Sequence, residues 1–142
     1  MKVYSQLFVQ AEISVIARKI IDSCSNVQVI ALQGTLGTGK TTLSIEILRQ
    51  LGAQGEMQSP TYTYLQAYKN NEGKSFFHFD LYRLQDKNAF LFAGFDEFLY
   101  QPNSLTVIEW PEIIEPLIDR DACYIKLQYV DDVTRKIEWY VK

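Results

Sequence analysis

The chain has 142 residues, 14 Lys plus Arg against 17 Asp plus Glu, and a formal net charge of −3. Hydrophobic residues make up 47% and charged residues 22%, which excludes a disordered, collagen-like or disulfide-framework chain and fits one domain over 1–142 that needs no metal or disulfide to fold. A mildly acidic balance with no basic cluster argues against direct binding of nucleic acid through phosphate contacts.

In chain order, residues 4–9 suit a short strand. Over 11–23, Ile13, Ile16, Ala17 and Ile20 recur at i, i+3, i+4 and i+7, the stripe of an amphipathic helix. Residues 27–32 are almost continuously apolar, as a strand covered on both faces of a parallel sheet requires. A second helix is predicted over 40–51, with Gly52 placed to end it. The β-prone, aromatic-rich runs 62–68 and 74–80 flank Asn70-Asn71-Glu72-Gly73, which predicts a hairpin. One or two short helices fall around Gly94 in 86–99, a short apolar strand over 105–108, and a helix over 112–118 behind Pro111. Alternation over 123–130 and 135–141, with Asp131-Asp132 between, predicts a C-terminal antiparallel hairpin. These elements sum to an α/β fold with a mixed sheet. No apolar run approaches the ~18 residues of a membrane span, and the N-terminus lacks a basic-then-apolar leader pattern, so the expected location is cytoplasmic. Cys24 and Cys123 have no metal-ligand spacing and read as two small buried hydrophobes in a reducing compartment.

The most informative segment is Gly34-Thr35-Leu36-Gly37-Thr38-Gly39-Lys40-Thr41. It matches G-x-x-x-x-G-K-[ST] and sits between a predicted buried strand and a predicted helix. A chance match in a chain of this length is on the order of 1 in 200. The glycines permit positive φ, so the loop's N–H groups can turn inward toward phosphate oxygens at a helix N-terminus. Lys40 would meet the β- and γ-phosphates and the Thr41 hydroxyl would ligate Mg²⁺. Replacing Lys40 with Ala should cost nucleotide affinity without unfolding the chain, since the lysine is expected to face solvent or ligand.

A Mg²⁺-nucleotide site also needs carboxylates near the metal and the attacking water. Glu109 follows the apolar strand 105–108, at the strand edge where α/β sheets bind ligands. Asp80 and His78 share one face of their strand. His78 reads equally as a structural histidine, and Arg83 as a surface or ion-pairing residue. Ser59-Pro60-Thr61 reads as a turn that could carry a hydroxyl to the γ-phosphate or metal.

Taken together, the loop 34–42, Ser59-Pro60-Thr61-Tyr62, His78-Phe79-Asp80-Leu81-Tyr82-Arg83, Gly94 with Asp96-Glu97, and Ile108-Glu109-Trp110-Pro111-Glu112 resemble the TsaE family, small P-loop ATPases of bacterial tRNA threonylcarbamoyladenosine (t6A) synthesis. The resemblance spans about residues 10–130 in matching order. It implies a P-loop NTPase-like three-layer fold and slow, Mg²⁺-dependent ATP hydrolysis, modulated by a TsaB–TsaD heterodimer that itself performs the transfer at adenosine 37. tRNA would be met only indirectly, through that complex. By motif, Asp80, Glu109 and Lys40 would be catalytic. Gly34, Thr35, Leu36, Gly37, Thr38, Gly39, Lys40, Thr41, Thr42, Thr61 and Trp110 would bind the nucleotide, and Thr41, Glu109 and Asp80 the metal. Arg83 is the nearest motif candidate for an arginine finger in cis. Family loops commonly read Gly-Asp-Leu-Gly-Ala-Gly-Lys-Thr, so Thr35 and Thr38 depart from the pattern. Nucleotide binding should survive, but any contact made through that acid lacks its carboxylate here. The loop alone would also allow a small-molecule kinase, which this length leaves little room for, or a nucleotide-gated binding module.

Overall fold

The computed structural model describes residues 1–142. Seven strands, β1 (Tyr4–Val9), β2 (Val29–Gln33), β3 (Leu65–Lys69), β4 (Ser75–Asp80), β5 (Ser104–Glu109), β6 (Cys123–Tyr129) and β7 (Thr134–Val141), form one sheet in the order β1-β7-β6-β2-β5-β4-β3. β6, β2, β5 and β4 run parallel, while β1, β7 and β3 add antiparallel edges. The mixed sheet and the C-terminal hairpin are therefore as the sequence pattern predicts.

Alternation along β2 explains the layers. Ile30 and Leu32 face a core shared with helices α1 (Ile13–Ser23) and α2 (Lys40–Gln50), through Ile16, Ile20, Leu43 and Ile47. Val29 and Ala31 face the opposite core, which Phe79, Phe90, Ile108 and Ile114 fill beneath α3 (Lys87–Phe92) and two 3₁₀ segments. Both faces of the central strand are thus covered, which is why residues 27–32 show almost no polar alternation.

Several expected boundaries move for local reasons. The strand expected from residue 62 begins at Leu65, because Tyr64 takes φ +66° and its N–H closes a turn onto the Pro60 carbonyl at 2.7 Å. The helix expected over 112–118 is an irregular 3₁₀ run, Pro111–Leu117, kinked at Ile114 and carrying Pro116 inside. A second proline without an N–H leaves too few donors for an α-helical ladder. The 86–99 segment divides at Gly94, whose φ of +76° separates α3 from the 3₁₀ turn Phe95–Phe98. The cysteines are buried as expected but are not separate. Cys24, at the end of α1, and Cys123, at the start of β6, form a disulfide with Cα atoms 6.1 Å apart, because α1 ends over the N-terminal end of β6. No helix is long and apolar enough to cross a membrane.

Candidate functional site

β2, β4 and β5 are parallel neighbours, so their carboxyl ends emerge together. The glycine-rich loop leaves β2, Asp80 ends β4 and Glu109 ends β5, directly opposite Asp80 in the register. This is the sheet edge at which open α/β folds bind ligands.

The loop's glycines have distinct reasons to be there. A side chain at Gly34 would place its Cβ 2.6 Å from the Leu127 carbonyl oxygen and 2.8 Å from the Thr38 hydroxyl, so close packing against β6 excludes it. Gly39 has open space around it but takes φ +96° as the residue that opens α2. Thr38, one of the two departures from the family pattern, is buried and donates its hydroxyl to the Thr35 carbonyl at 2.8 Å. The substitution thus adds an internal brace to the loop.

Lys40, expected to face solvent or ligand, is only 5% exposed and lines a cavity at this sheet edge. Its Nζ donates to the carbonyls of Gly34 at 2.5 Å and Thr35 at 2.9 Å, and lies 4.1 Å from the Trp110 ring centroid. Burial pushes the ammonium below its ordinary pKa, and the charges of Glu109, Glu112 and Asp80 pull it part of the way back. Trp110 holds a left-handed backbone, φ +61°, a strained conformation for a bulky residue. Its ring packs on Tyr82 with centroids 4.9 Å apart.

The two acids are differently engaged. Glu109 is 2% exposed, and its Oε1 accepts from the Thr41 hydroxyl at 2.7 Å. Asp80 accepts from the Thr61 hydroxyl at 3.1 Å through Oδ2, and from the Tyr82 N–H at 3.1 Å through Oδ1. Leu36, Gly37, Gly39, Lys40, Thr41, Thr42, Thr61, Asp80, Glu109 and Trp110 line one cavity of about 410 Å³ with Tyr82 and Arg83 at its mouth. The site residues read from the sequence therefore converge, apart from Gly34, Thr35 and Thr38. The first two turn their carbonyls to Lys40, and Thr38 faces the other side of the loop. Arg83 stacks over the exposed Tyr62 ring at 4.6 Å.

That other side opens on a larger cavity of about 600 Å³, lined by Phe8, Val9, Ile13, Thr42 and Arg135 among others. The Arg135 guanidinium donates to the Gly37 carbonyl at 3.2 Å. Thr42 was read from the sequence, but Phe8, Val9, Ile13 and Arg135 were not, because they come from opposite ends of the chain and carry no motif. Glu112 lines neither cavity but lies within electrostatic reach of Lys40. Its carboxyl is pushed up by partial desolvation, with Lys40 among the influences lowering it.

The donor set fits a Mg²⁺ ion that keeps most of its ligands outside the protein. No group of three or more His, Cys, Asp or Glu that could hold a metal forms in the chain. A hydroxyl bonded to one carboxylate, with a second carboxylate nearby, is what Mg²⁺ uses when substrate phosphates and water supply its remaining ligands.

A family model described as threonylcarbamoyl adenosine biosynthesis protein TsaE matches residues 9–137. The TsaE protein of Haemophilus influenzae is 39% identical over 109 residues, 77% of this chain and 67% of that protein. That of Rickettsia felis is 32% identical over 127 residues, 89% of this chain and 72% of its own length. The crystal structure of Bacillus subtilis YdiB superposes with a TM-score of 0.73 at 24% identity, covering 97% of this chain and 84% of YdiB. That likeness establishes the fold, as the resemblance implies.

Proposed function

The chain belongs to the TsaE family, whose role lies in t6A synthesis, and from that premise we propose that it is a Mg²⁺-dependent ATPase, slow alone, that acts with a TsaB–TsaD heterodimer in the cytoplasm. In this reading the partner complex performs the transfer to tRNA. The chain's hydrolysis supports repeated cycles of it. The observation that carries the reading is the bond between Thr41 and Glu109 across the phosphate loop, with Asp80 at the adjacent strand end.

The geometry supports the following mechanism. The amides of 34–41 and the Lys40 ammonium bind the polyphosphate, and Lys40 must leave the Gly34 and Thr35 carbonyls to do so. Thr41 and Glu109 would hold Mg²⁺, aided by Asp80. When bound, the ion neutralises charge on the β- and γ-phosphates. Asp80 orients the attacking water and accepts its proton, with Thr61 fixing one carboxylate oxygen. Trp110 closes the site beside Lys40. The larger cavity across the loop takes the nucleoside.

Phosphate release from ATP should require Mg²⁺ and rise on adding the heterodimer. A Glu109→Gln protein that still binds ATP should release phosphate about 10²–10⁴ times more slowly and fail to sustain multiple rounds of t6A formation. Sustained t6A formation by that variant would instead support a nucleotide-gated binding module. Transfer of labelled γ-phosphate to an added acceptor would support a kinase.

A further inference from the structure

We infer that His78 is the positioning residue that fixes Glu109 for its work at the metal, an inference that rests on the proposed role of Glu109. His78 is 0% exposed, in the middle of β4. In the register it lies opposite Val107, so it reaches Glu109 diagonally, two residues further along the parallel neighbour. Its Nε2 is 2.5 Å from Glu109 Oε2. Glu109 Oε1 meanwhile accepts from Thr41. Each oxygen of this buried carboxylate thus has its own partner, one from below and one from the loop.

The other imidazole nitrogen, Nδ1, is buried with no partner. That asymmetry assigns the tautomer. A proton on Nε2 gives Glu109 a donor and leaves a bare lone pair at Nδ1. A proton on Nδ1 alone would set two acceptors against each other at 2.5 Å and orphan a buried donor, the costlier arrangement. With Nε2 donating, Glu109 cannot rotate toward Nζ of Lys40, and Oε1 stays aimed at Thr41. Polar partners behind metal ligands commonly hold them this way, and losing one costs about 10–100-fold in metal affinity or activity.

The chain contains one histidine, so ¹⁵N spectra of tag-free protein show one imidazole. A proton on Nε2 is expected, and protonation at Nδ1 alone overturns the assignment without any variant having to fold. The second arm measures affinity for a non-hydrolysable ATP analogue by calorimetry, in EDTA and in Mg²⁺. His78→Gln carries its amide nitrogen near the Nε2 position and should keep the Mg²⁺-dependent gain. His78→Asn, whose amide sits near Nδ1, and His78→Leu should lose about 10–100-fold of it, with affinity in EDTA unchanged. An equal loss in EDTA for all three variants, or an undiminished gain in His78→Leu, overturns the inference alone. A wild-type protein with no Mg²⁺ gain overturns the functional reading as well.

Discussion

The two sides of the phosphate loop are built by different parts of the sheet. The 410 Å³ side is charged and made at the ends of parallel central strands. The 600 Å³ side lies against antiparallel additions, β1 and β7, with Phe8, Val9 and Arg135 in its wall. Under the proposed function, chemistry at a γ-phosphate would constrain residue type and spacing on the first side, which is the side written in motifs. A nucleoside needs only shape, a flat apolar surface and a few hydrogen bonds, which many residues at many positions provide.

The largest break in this comparison comes from the acids. Asp80→Asn and Glu109→Gln should each lower the rate of ATP hydrolysis by about 10²–10⁴, in a phosphate-release assay at saturating nucleotide. Next comes Lys40→Met, which should weaken ATP and tripolyphosphate alike by about 10–100-fold, the worth of one or two hydrogen bonds to a charged donor. Its melting temperature should hold or rise, because a desolvated ammonium is removed from a buried position. Equal ATP affinity in wild type and variant would remove Lys40 from the site.

On the other side of the loop, Arg135→Ala should weaken ATP by about 2- to 10-fold and leave tripolyphosphate binding unchanged. If both ligands weaken together, the larger cavity does not hold the nucleoside. The smallest effect is in protons. Burial lowers the Lys40 pKa below 10.5, so the folded chain binds fewer protons than the unfolded one between the two values, and stability rises with pH there. A bound polyphosphate raises the pKa again. Nucleotide binding should therefore take up protons at alkaline pH below 10.5, measurable by calorimetry in buffers of different ionisation enthalpy. Lys40→Met should abolish the uptake.

What was legible in the sequence divides along the same line. The loop, Asp80 and Glu109 could be placed because each ends an apolar strand. Their convergence follows from parallel order. The His78–Glu109 bond could not be read, since it depends on which residue of β5 lies beside which residue of β4. Tyr64 gives no sign of its left-handed backbone, because side chains rarely adopt it and no glycine or asparagine marks the Pro60 turn that imposes it. The Cys24–Cys123 pairing spans 99 residues of chain and follows only from where the end of α1 meets the start of β6. The depth at which Lys40 sits is hidden in the sequence for a related reason. Its stem and amine are covered by its own loop and by a tryptophan arriving from β5.

That covering gives the loop a threshold for occupancy. An anion must offer Nζ more than two carbonyls and an aromatic face already do. Chloride or a single orthophosphate, each too short to reach both the loop and the acids, would gain too little to displace them. Under the proposed function, a chain of linked phosphates spanning loop and metal would do so in one event, and the small anions that crowd every cell would be passed over.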